Sequence, residues 1–433
     1  MSVPERVHIV GIGGIGLSAL ARLLVAQGKI VSGCDRACSI VTEGLNQVGI
    51  ETAPCHDVCH VTPDTDLLIY SDAVPEDNEE RAQARALGIP ELSYFQALGA
   101  DANRYKVIAV SGAHGKTTTT AMLADVLEAG GLDPTSVVGS LRAKTKSNFH
   151  AGTGDYFVVE ADEYRRHFLE FIPHVLIITN IDADHLDYYK DLPDVQSAFL
   201  ELALKVPEDG FVICDPKNEK VRPVIEGIAG TVVDYTQYYD PALPLQVLPL
   251  HRINAAAVLA ASDVLGVPPD VAREAIGSFT GTWRRFERKG VTRSGAVVYD
   301  DYGHHPTEVK ATLESARRQF ENKRIIVAFQ PHLYSRTKLL MREFSHAFGA
   351  VDEVMLAPIY AAREAHDPTV SSETLAEKIR EDGTQAQAFE SLGAMEKYLL
   401  DTAGEGDIII TMGAGDIYKV GEAIIDPERS SAL

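Results

Sequence analysis

Two glycine-rich segments, each placed between an apolar run and a helix-like stretch, constrain the fold of this chain most strongly. Gly11 to Gly16 follows the strand-like run Val7 to Val10, and Gly112 to Gly115 follows Val107 to Val110. A strand, a tight turn and a helix in this order form the repeating unit of parallel sheets with crossover helices. The same alternation restarts near Val297 and continues toward the C-terminus. The sequence therefore predicts the α/β class, with mainly parallel sheets.

The three starts of this pattern also predict the domain organisation. A chain of 433 residues is too long for one ordinary core, and its length favours roughly two to four domains. We place three domains at residues 1–102, 103–288 and 289–433. In the first domain, Leu67 to Tyr70 is predicted to be the last strand, and the polar segment Gly99 to Arg104 is predicted to be a linker.

Composition excludes two classes of partner. Acidic residues outnumber basic ones by 62 to 40, which gives a formal net charge of −22, whereas nucleic-acid binding requires a basic face. No apolar run approaches the roughly 18 residues of a spanning helix, and no signal segment precedes Val7. We therefore expect no nucleic-acid partner, no membrane insertion and a cytoplasmic location. The choice between a monomer and a homodimer stays open on the sequence.

The five cysteines are sparse and odd in number, as in a reduced cytosolic protein. Two of them belong to the dipeptides Cys55-His56 and Cys59-His60, which resemble half of a metal knuckle. A second pair at the spacing of a zinc site does not follow in the sequence. We therefore expect Cys55 and Cys59 to be ordinary thiols.

The first glycine-rich segment has the G-x-G-x-x-G spacing of a nucleotide-binding turn, and Asp35 ends the next predicted strand. In such turns, backbone N–H groups and the N-terminus of the following helix face an anion. We predict a pyrophosphate site formed by Gly11, Gly13, Gly14, Ile15 and Gly16, with Asp35 beside them. The spacing does not distinguish a dinucleotide cofactor from a nucleotide sugar.

The second glycine-rich segment predicts a loop that binds the phosphates of ATP. Lys116 reaches the β and γ oxygens in such a loop, and the Thr117 hydroxyl suits Mg²⁺. The loop is a shortened variant, because Val110 stands where the common loop has its first glycine. The predicted ATP-binding residues are Gly112, Ala113, His114, Gly115, Lys116, Thr117 and Thr118.

Acidic residues follow two later strands of the central domain. Glu160 comes directly after the first of them. Further acids surround His185 after the second, at positions Asp182, Asp184 and Asp187. The carboxyl ends of parallel strands beside a phosphate loop are where the Mg²⁺ of ATP is held. We therefore predict that Glu160 and His185 take part in binding the metal.

Two polar loops of the third domain each follow a predicted strand. They are Asp300 to Glu308, which contains two histidines, and Gln330 to Thr337, which contains one. Loops at the ends of strands in one sheet line one crevice, so we predict that they contact a substrate or handle protons. An arginine of the preceding segment Trp283 to Glu287 is suited to neutralise a transferring phosphate, with a surface salt bridge as the competing interpretation.

Together, these ordered motifs resemble those of the Mur ligase family over nearly the whole chain. The matching segments are Gly11 to Gly16, Gly112 to Thr118, Glu160 to Glu163, Asn180 to His185, Arg284 to Phe286, Asp300 to Glu308 and Gln330 to Thr337. The resemblance implies a Rossmann-like N-terminal domain, a P-loop ATPase-like central domain and a Rossmann-like C-terminal domain. The central domain is expected to be shortened, because little sequence precedes its adenine motif at His251.

The resemblance also implies the reaction and its participants. The cofactors are ATP and Mg²⁺, and the small-molecule partners are UDP-N-acetylmuramate and L-alanine. The lactyl carboxylate of the sugar attacks the γ-phosphate, and the alanine amine then displaces phosphate from the acyl phosphate to form an amide. The product is a precursor of peptidoglycan.

Residue roles are implied by the same resemblance. The catalytic residues are Lys116, Glu160, His185, Arg285, Asp301 and His304, and the metal residues are Thr117, Glu160 and His185. Asn254 and Arg285 are implied at the nucleotide, and Asp35 and Ser71 at the UDP-sugar. The amino acid and the reacting carboxylate are implied at Tyr302, His304, His305, His332 and Arg336. Either His304 or His305 is suited to remove the amine proton.

Three alternatives to this function stay open on the sequence. A ligase that attaches a recycled murein peptide to the same sugar would use the same motifs. A nicotinamide-dependent dehydrogenase would explain Gly11 to Gly16 and Asp35 but would leave Lys116 without a role. A non-catalytic nucleotide-binding protein is favoured by the altered adenine motif, which keeps only its second asparagine, Asn254.

Overall fold

A computed structural model describes residues 3–36, 38–183, 185, 188–362 and 364–425 of the chain. Within these ranges the strands form three sheets, and the fold is the predicted three-domain α/β architecture with mainly parallel strands. The chain divides into two compact units, Met1–Pro244 with Arg252–Thr280 and Leu245–His251 with Gly281–Leu433. The domain boundaries at residues 102 and 288 stay predictions.

The first sheet is parallel, in the order β3-β2-β1-β4-β5. Its strands are β1 (Arg6–Val10), β2 (Ile30–Cys34), β3 (Glu51–Ala53), β4 (Leu67–Tyr70) and β5 (Glu91–Ser93). The accompanying helices are α1 (Ile15–Ala26), α2 (Ile40–Asn46), α3 (Glu79–Leu87) and α4 (Tyr94–Ala102). Strand order reverses between β1 and β4, and ligands bind at such switch points. The first glycine-rich turn, at the carboxyl end of β1, lies there.

Two details of this first region differ from the sequence prediction. The strand Leu67–Tyr70 is not the last, because β5 follows it and pairs with it. The predicted linker begins inside α4, which runs to Ala102. Ser93 caps this helix through a capping box with Gln96, and Leu98 is fully buried. Capping and burial of the apolar face outweigh the polar composition of the segment.

The second sheet contains seven strands within the described residues, in the order β12-β11-β10-β6-β9-β7-β8. They are β6 (Lys106–Ser111), β7 (Thr135–Val137), β8 (Phe149–His150), β9 (Tyr156–Glu160), β10 (Pro173–Ile178), β11 (Phe211–Cys214) and β12 (Thr231–Asp234). The associated α-helices are α5 (Lys116–Ala129), α6 (Leu192–Ala203), α7 (Arg252–Val264) and α8 (Pro269–Ser278). β7 and β8 pair antiparallel, whereas β6 pairs parallel with β9 and β10. The carboxyl ends of β9 and β10 therefore flank the second glycine-rich turn.

The third sheet has the order β13-β14-β18-β15-β16-β17, with β13 antiparallel at its edge. Its strands are β13 (Glu287–Val291), β14 (Val297–Asp301), β15 (Ile325–Phe329), β16 (Glu353–Leu356), β17 (Gln385–Ala388) and β18 (Ile408–Met412). The helices are α9 (Pro306–Gln319), α10 (Tyr334–Leu339), α11 (Met341–Ser345), α12 (Ser372–Glu381), α13 (Leu392–Thr402) and α14 (Tyr418–Ile424).

The central strand β15 shows why this sheet forms. Ile325, Val327 and Phe329 are buried in one hydrophobic cluster, and the intervening Ile326 and Ala328 are buried in another. Side chains alternate between the two faces of a strand, so an unbroken apolar run is covered on both sides. Among the described helices of the whole chain, none combines the length and the apolar character needed to cross a membrane.

Candidate active site

The turn between β6 and α5 has a backbone that requires glycine at two positions. Gly112 has a φ of 133° and Gly115 a φ of 86°. A Cβ at Gly112 would lie 2.2 Å from Thr179 Oγ1, and one at Gly115 would lie 2.7 Å from Asn254 Oδ1. Backbone at such positions approaches neighbouring groups as closely as a phosphate cradle requires.

The end of β10 holds this turn in place from one side. Asn180 Oδ1 accepts a hydrogen bond from the His114 N–H at 3.0 Å, and Asn180 Nδ2 donates to the His114 carbonyl at 2.8 Å. The Thr179 hydroxyl donates to the same carbonyl at 2.6 Å, and the Ala113 N–H donates to the Asn180 carbonyl at 3.2 Å. The predicted residues Ala113 and His114 are therefore positioned by backbone contacts to the neighbouring strand.

Lys116, the first residue of α5, is fixed by three hydrogen bonds. Its Nζ donates to the Gly112 carbonyl at 2.8 Å and to the two carboxylate oxygens of Glu163 at 2.9 and 2.8 Å. Burial alone would lower the pKa of Lys116, but the negative charges of Glu163 and Asp162 raise it above its ordinary value. The side chain is therefore a cation held beside the second glycine-rich turn.

Two groups of metal-binding candidates lie at the ends of β9 and β10. In the first, the Thr117 hydroxyl donates to Glu160 Oε1 at 2.9 Å, and Glu160 Oε2 accepts the Gly139 N–H at 2.9 Å. In the second, ligand atoms of Asp162, Glu163 and His185 all lie within 4.8 Å of one another. The structure thus groups His185 with Asp162 and Glu163. Asp184 and Asp187, two of the predicted acids, lie outside the described residues.

Three residues of this site were not among the sequence-based site residues, although they belong to the matched motifs. Glu163 contacts Lys116 directly, Asp162 is its neighbour, and Asn180 positions the turn. Their position in the sequence could have indicated them. Asp162 and Glu163 closely follow the end of β9, and Asn180 follows the end of β10. Charge at the carboxyl edge of a parallel sheet indicates a site, but not which acid faces which partner.

The first glycine-rich turn is built differently. Gly11 has a φ of 84°, and its N–H donates to the Cys34 carbonyl at 2.9 Å. Asp35 Oδ2 accepts the Gly13 N–H at 2.9 Å. Ser71 Cβ would lie 3.1 Å from a Cβ at Gly11, which places Ser71 beside the turn.

The helix that follows this first turn starts without a side-chain cap. Gly14 is the N-cap of α1, and Ile15 is its first residue. A Cβ at Gly16 would lie 2.7 Å from the Tyr94 ring, so this glycine allows close packing. The N–H groups of an uncapped helix start favour an anion. Asn148 Nδ2 donates to the Ile15 carbonyl and, at 2.9 Å, to Ser18 Oγ, a contact that no motif signalled.

The third sheet brings Arg285, Asp301 and Tyr302 together. Asp301 accepts hydrogen bonds from the N–H groups of Phe286 and Gly303, both at 2.8 Å. Burial raises the pKa of Asp301 to about 6, although the charge of Arg285 opposes the shift. The Arg285 guanidinium carbon lies 5.2 Å from the centre of the Tyr302 ring. The carboxylate is ionised at neutral pH and is accompanied by a cation.

The neighbouring residues His304, His332 and Arg336 form a second group on this sheet. The rings of His304 and His332 are 5.9 Å apart, and Arg336 Nη1 lies 3.3 Å from His332 Nδ1. Burial lowers the pKa of His304 to about 4, so its ring is neutral at neutral pH. His305 is the N-cap of α9, where its Nδ1 accepts the Thr307 N–H at 3.3 Å.

A three-domain α/β fold with a glycine-rich turn, a partly buried lysine paired with an acid and further acids beside them is the architecture of one class of ATP-dependent ligases. The chain matches three domains of one family: "Mur ligase family, catalytic domain" over residues 6–106, "Mur ligase middle domain" over residues 110–240 and "Mur ligase, glutamate ligase domain" over residues 284–415. The chain belongs to the Mur ligase family, as its motifs predicted.

Three similar proteins share one activity in their names. The UDP-N-acetylmuramate–L-alanine ligase of Desulfitobacterium hafniense is 41% identical, over 98% of this chain and 100% of its own length. The enzyme of the same name from Clostridium kluyveri is 39% identical, over 98% of each. The crystal structure of the UDP-N-acetylmuramate–alanine ligase from Thermotoga maritima aligns with a TM-score of 0.83 at 28% identity, over 99% of this chain and 100% of that one.

Proposed function

We propose that the protein joins the lactyl carboxylate of UDP-N-acetylmuramate to the amine of L-alanine, using ATP, in the synthesis of peptidoglycan precursors. The observation that carries the proposal is Lys116, held at the start of α5 by the Gly112 carbonyl and the Glu163 carboxylate. The substrates are those named for the relatives from Desulfitobacterium hafniense and Clostridium kluyveri, each of which matches 98% of the chain.

The residues of the phosphate turn fit ATP and Mg²⁺. Gly112 and Gly115 have no room for a Cβ, as is typical of a backbone that wraps around phosphates. The Thr117 hydroxyl and the Glu160 carboxylate, 2.9 Å apart, are the hard oxygen ligands that Mg²⁺ prefers. When bound, Mg²⁺ would neutralise part of the phosphate charge. The group formed with His185 offers further ligands for a cation.

In the first chemical step, the carboxylate of the sugar takes the γ-phosphoryl group. A carboxylate oxygen bonds to phosphorus, the bond to the β–γ bridging oxygen breaks, and ADP leaves with that electron pair. Lys116 is protonated throughout the neutral range, because its acidic neighbours raise its pKa. Its positive charge stabilises the phosphoryl oxygens as charge develops on them. The two contacts to Glu163 orient Nζ for this role.

In the second step, the amine of L-alanine bonds to the acyl carbon, and phosphate leaves with the former carboxylate oxygen. Asp301 is ionised at neutral pH and attracts the ammonium group of the incoming amino acid. His304 Nδ1 lies 3.1 Å from the Tyr302 carbonyl, so this nitrogen carries the hydrogen and Nε2 has the lone pair. We therefore assign His304, rather than the helix-capping His305, as acceptor of the proton that the ammonium group loses before it attacks. The second proton, lost as the amide forms, leaves with the phosphate.

The turn from Gly11 to Gly16 binds the pyrophosphate of the UDP-sugar, with Ser71 beside it. We assign residues 1–102 to the sugar, 103–288 to ATP and 289–433 to the amino acid. A cytoplasmic location, and a monomeric or homodimeric state, complete the proposal.

Release of inorganic phosphate tests this function. The full-length protein is supplied with ATP, Mg²⁺ and UDP-N-acetylmuramate, and the amine is varied between L-alanine, glycine, L-serine and a murein tripeptide. We expect release to require both the sugar and an amine, with L-alanine the best. Preference for the tripeptide would identify a recycling ligase instead. Absence of release with every amine, or oxidation of a nicotinamide cofactor, would contradict a ligase.

A further inference from the structure

A cluster of potential metal ligands lies on the first sheet, on the face that packs against α3. His8 is in the middle of β1, Cys34 ends β2, His60 ends a short 3₁₀ helix at Val58–His60, and Glu80 lies in the first turn of α3. Each offers one ligand atom, and these four atoms all lie within 4.8 Å of one another. Four segments distant in the sequence therefore converge on one point.

The Glu80 carboxylate is at the centre of this cluster and is completely buried. Its Oε2 accepts from Cys34 Sγ at 2.7 Å, and its Oε1 lies 2.6 Å from His60 Nδ1 and 3.6 Å from His8 Nε2. His56 Nδ1 lies 3.1 Å from Oε2. A carboxylate surrounded by one thiol and three imidazoles is costly to bury, unless its charge is balanced.

The buried ring of His8 gives a further observation that points to a bound cation. The residue is 2% exposed. Within the described residues its Nε2 makes no hydrogen bond, and its ion-pair contact, Glu80 Oε1, lies 3.6 Å away. Its other ring nitrogen, Nδ1, lies 2.9 Å from Ser32 Oγ. When Nδ1 donates to that hydroxyl, Nε2 presents its lone pair to the cluster. A hydrogen bond on one ring nitrogen with the other facing a metal is the usual arrangement of histidine ligands.

We propose that His8, Cys34, His60 and Glu80 bind a structural zinc ion. The set combines two imidazole nitrogens, one thiolate sulfur and one carboxylate oxygen, which are the ligand types of tetrahedral zinc sites. Zinc–ligand bonds of about 2.0 to 2.3 Å imply separations between ligand atoms of roughly 3.3 to 3.7 Å. The four ligand atoms lie within 4.8 Å of one another, so each side chain would have to move by less than the length of one zinc–ligand bond. Binding would release the Cys34 proton to solvent.

Four protein ligands would close the coordination shell, so this zinc has a structural role. Its ligand Cys34 also contacts the first glycine-rich turn. The Cys34 carbonyl accepts the N–H groups of Gly11 and Ile12 at 2.9 and 3.0 Å. A metal that fixes Cys34 would therefore stiffen the first glycine-rich turn. His56 contacts Cys34 Sγ at 3.0 Å and acts as an outer partner that orients the ligands.

Zinc binding is tested on the full-length protein after treatment with a chelator, with Mg²⁺ in excess to occupy the phosphate turn. We expect one zinc ion per chain by competition with a chromophoric chelator. Co²⁺ should give a thiolate-to-metal charge-transfer band, which distinguishes this site from the cysteine-free group at His185. Cys34→Ser and His60→Gln should each weaken zinc binding by about a hundredfold or more.

Two control variants distinguish the proposed ligands from other thiols. Cys214→Ser removes another buried cysteine, and the double variant Cys55→Ser, Cys59→Ser removes exposed ones. Both should retain the zinc and the charge-transfer band. Zinc binding that is lost in the double variant but kept in Cys34→Ser would overturn the proposal. So would a wild-type protein that binds no zinc, which would leave the cluster a hydrogen-bond network around Glu80. If Cys34→Ser does not fold, the wild-type cobalt spectrum and His60→Gln decide.

Discussion

The turn after β1 and the turn after β6 each connect a central parallel strand to a helix, yet the side chains around them differ. At the first turn, Asp35 accepts the Gly13 N–H, and Ser71 lies beside Gly11. At the second, the cation of Lys116 is paired with Glu163. Backbone N–H groups and a helix N-terminus suffice to hold an anion. Moving a phosphoryl group also requires charge placed where the transition state develops it.

The difference teaches that two glycine-rich turns at equivalent places in their sheets can support different chemistry. Both turns have a glycine in the left-handed region, at Gly11 and at Gly115. The second turn adds the Thr117 hydroxyl and the Glu160 carboxylate, which suit a metal ion. We therefore regard the first turn as a binding site for the sugar nucleotide and the second as the site of phosphoryl transfer. Substitutions should separate the two roles.

The substitution Lys116→Met is expected to separate phosphoryl transfer from sugar-nucleotide binding most strongly. The substitution keeps most of the side-chain length but removes the charge that, in the proposed mechanism, stabilises the transferring phosphoryl group. Such contacts are worth about 3 kcal/mol or more, so phosphate release should fall by roughly a hundredfold or beyond. Calorimetric affinity for UDP-N-acetylmuramate should change little.

A matched control for this substitution is Lys106→Met, which removes an exposed lysine at the start of β6. It should leave both the rate of phosphate release and the affinity for UDP-N-acetylmuramate near the wild-type values. A Lys116→Met protein that releases phosphate at the wild-type rate would contradict the role of Lys116. So would one that is folded by circular dichroism but has lost sugar binding.

Replacing one glycine of each turn by alanine should have smaller and opposite effects, one variant losing ATP affinity and the other losing affinity for the sugar nucleotide. Gly115→Ala places a Cβ 2.7 Å from Asn254 Oδ1 at a φ of 86°. A left-handed backbone costs a non-glycine residue about 1 to 2 kcal/mol, so ATP affinity should fall by roughly tenfold. Gly13→Ala places a Cβ 2.8 Å from Asp35 Oδ2 and should weaken sugar binding instead. Both affinities are measured by calorimetry, and equal losses of both in either variant would break the comparison.

The smallest expected effect is a pH dependence of the KM for L-alanine, which depends on Asp301 in the third sheet. Burial raises the pKa of Asp301 to about 6, so this carboxylate is charged above that pH and neutral below it. The KM for L-alanine should rise by about fourfold between about pH 7 and about pH 5.5, as the charged fraction falls. The KM for the sugar nucleotide should stay constant, because Asp301 belongs to the third sheet and not to the turn that we propose binds this substrate. Asp301→Asn should remove the dependence, and a profile unchanged by this variant would assign the titration to another group.

Local signals in the sequence were sufficient for the fold and for both turns. An apolar run followed by glycines and a helix fixes β1, β6 and their helices, because strand, turn and helix propensities act over a few neighbouring residues. The linker predicted at Gly99 to Arg104 was wrong at its start, since α4 runs to Ala102. Burial of Leu98 there depends on packing partners that composition does not reveal.

Contacts between distant segments were the part that the sequence could not provide. Glu163 reaches Lys116 across 47 positions, and the choice among the acids after β9 depends on how the strand end turns. The cluster around Glu80 joins residues from β1 to α3 with no regular spacing, so a search for paired zinc-ligand motifs passes over it. His305 had a local signal for its cap, because Pro306 and Glu308 follow it as in a capping box. Its assignment to the substrate stays a prediction.

The origin of the oxygen atoms in the released phosphate tests the central claim most directly. UDP-N-acetylmuramate is prepared with a heavy oxygen isotope in both oxygens of the lactyl carboxylate, and it is converted with unlabelled ATP and L-alanine in unlabelled water. In the proposed mechanism, one carboxylate oxygen bonds to phosphorus and leaves with it. Mass spectrometry should therefore find one heavy oxygen in each phosphate and one in the amide product. Phosphate without the label, with both heavy oxygens still on the sugar, would contradict the acyl phosphate and the account of the second turn that depends on it.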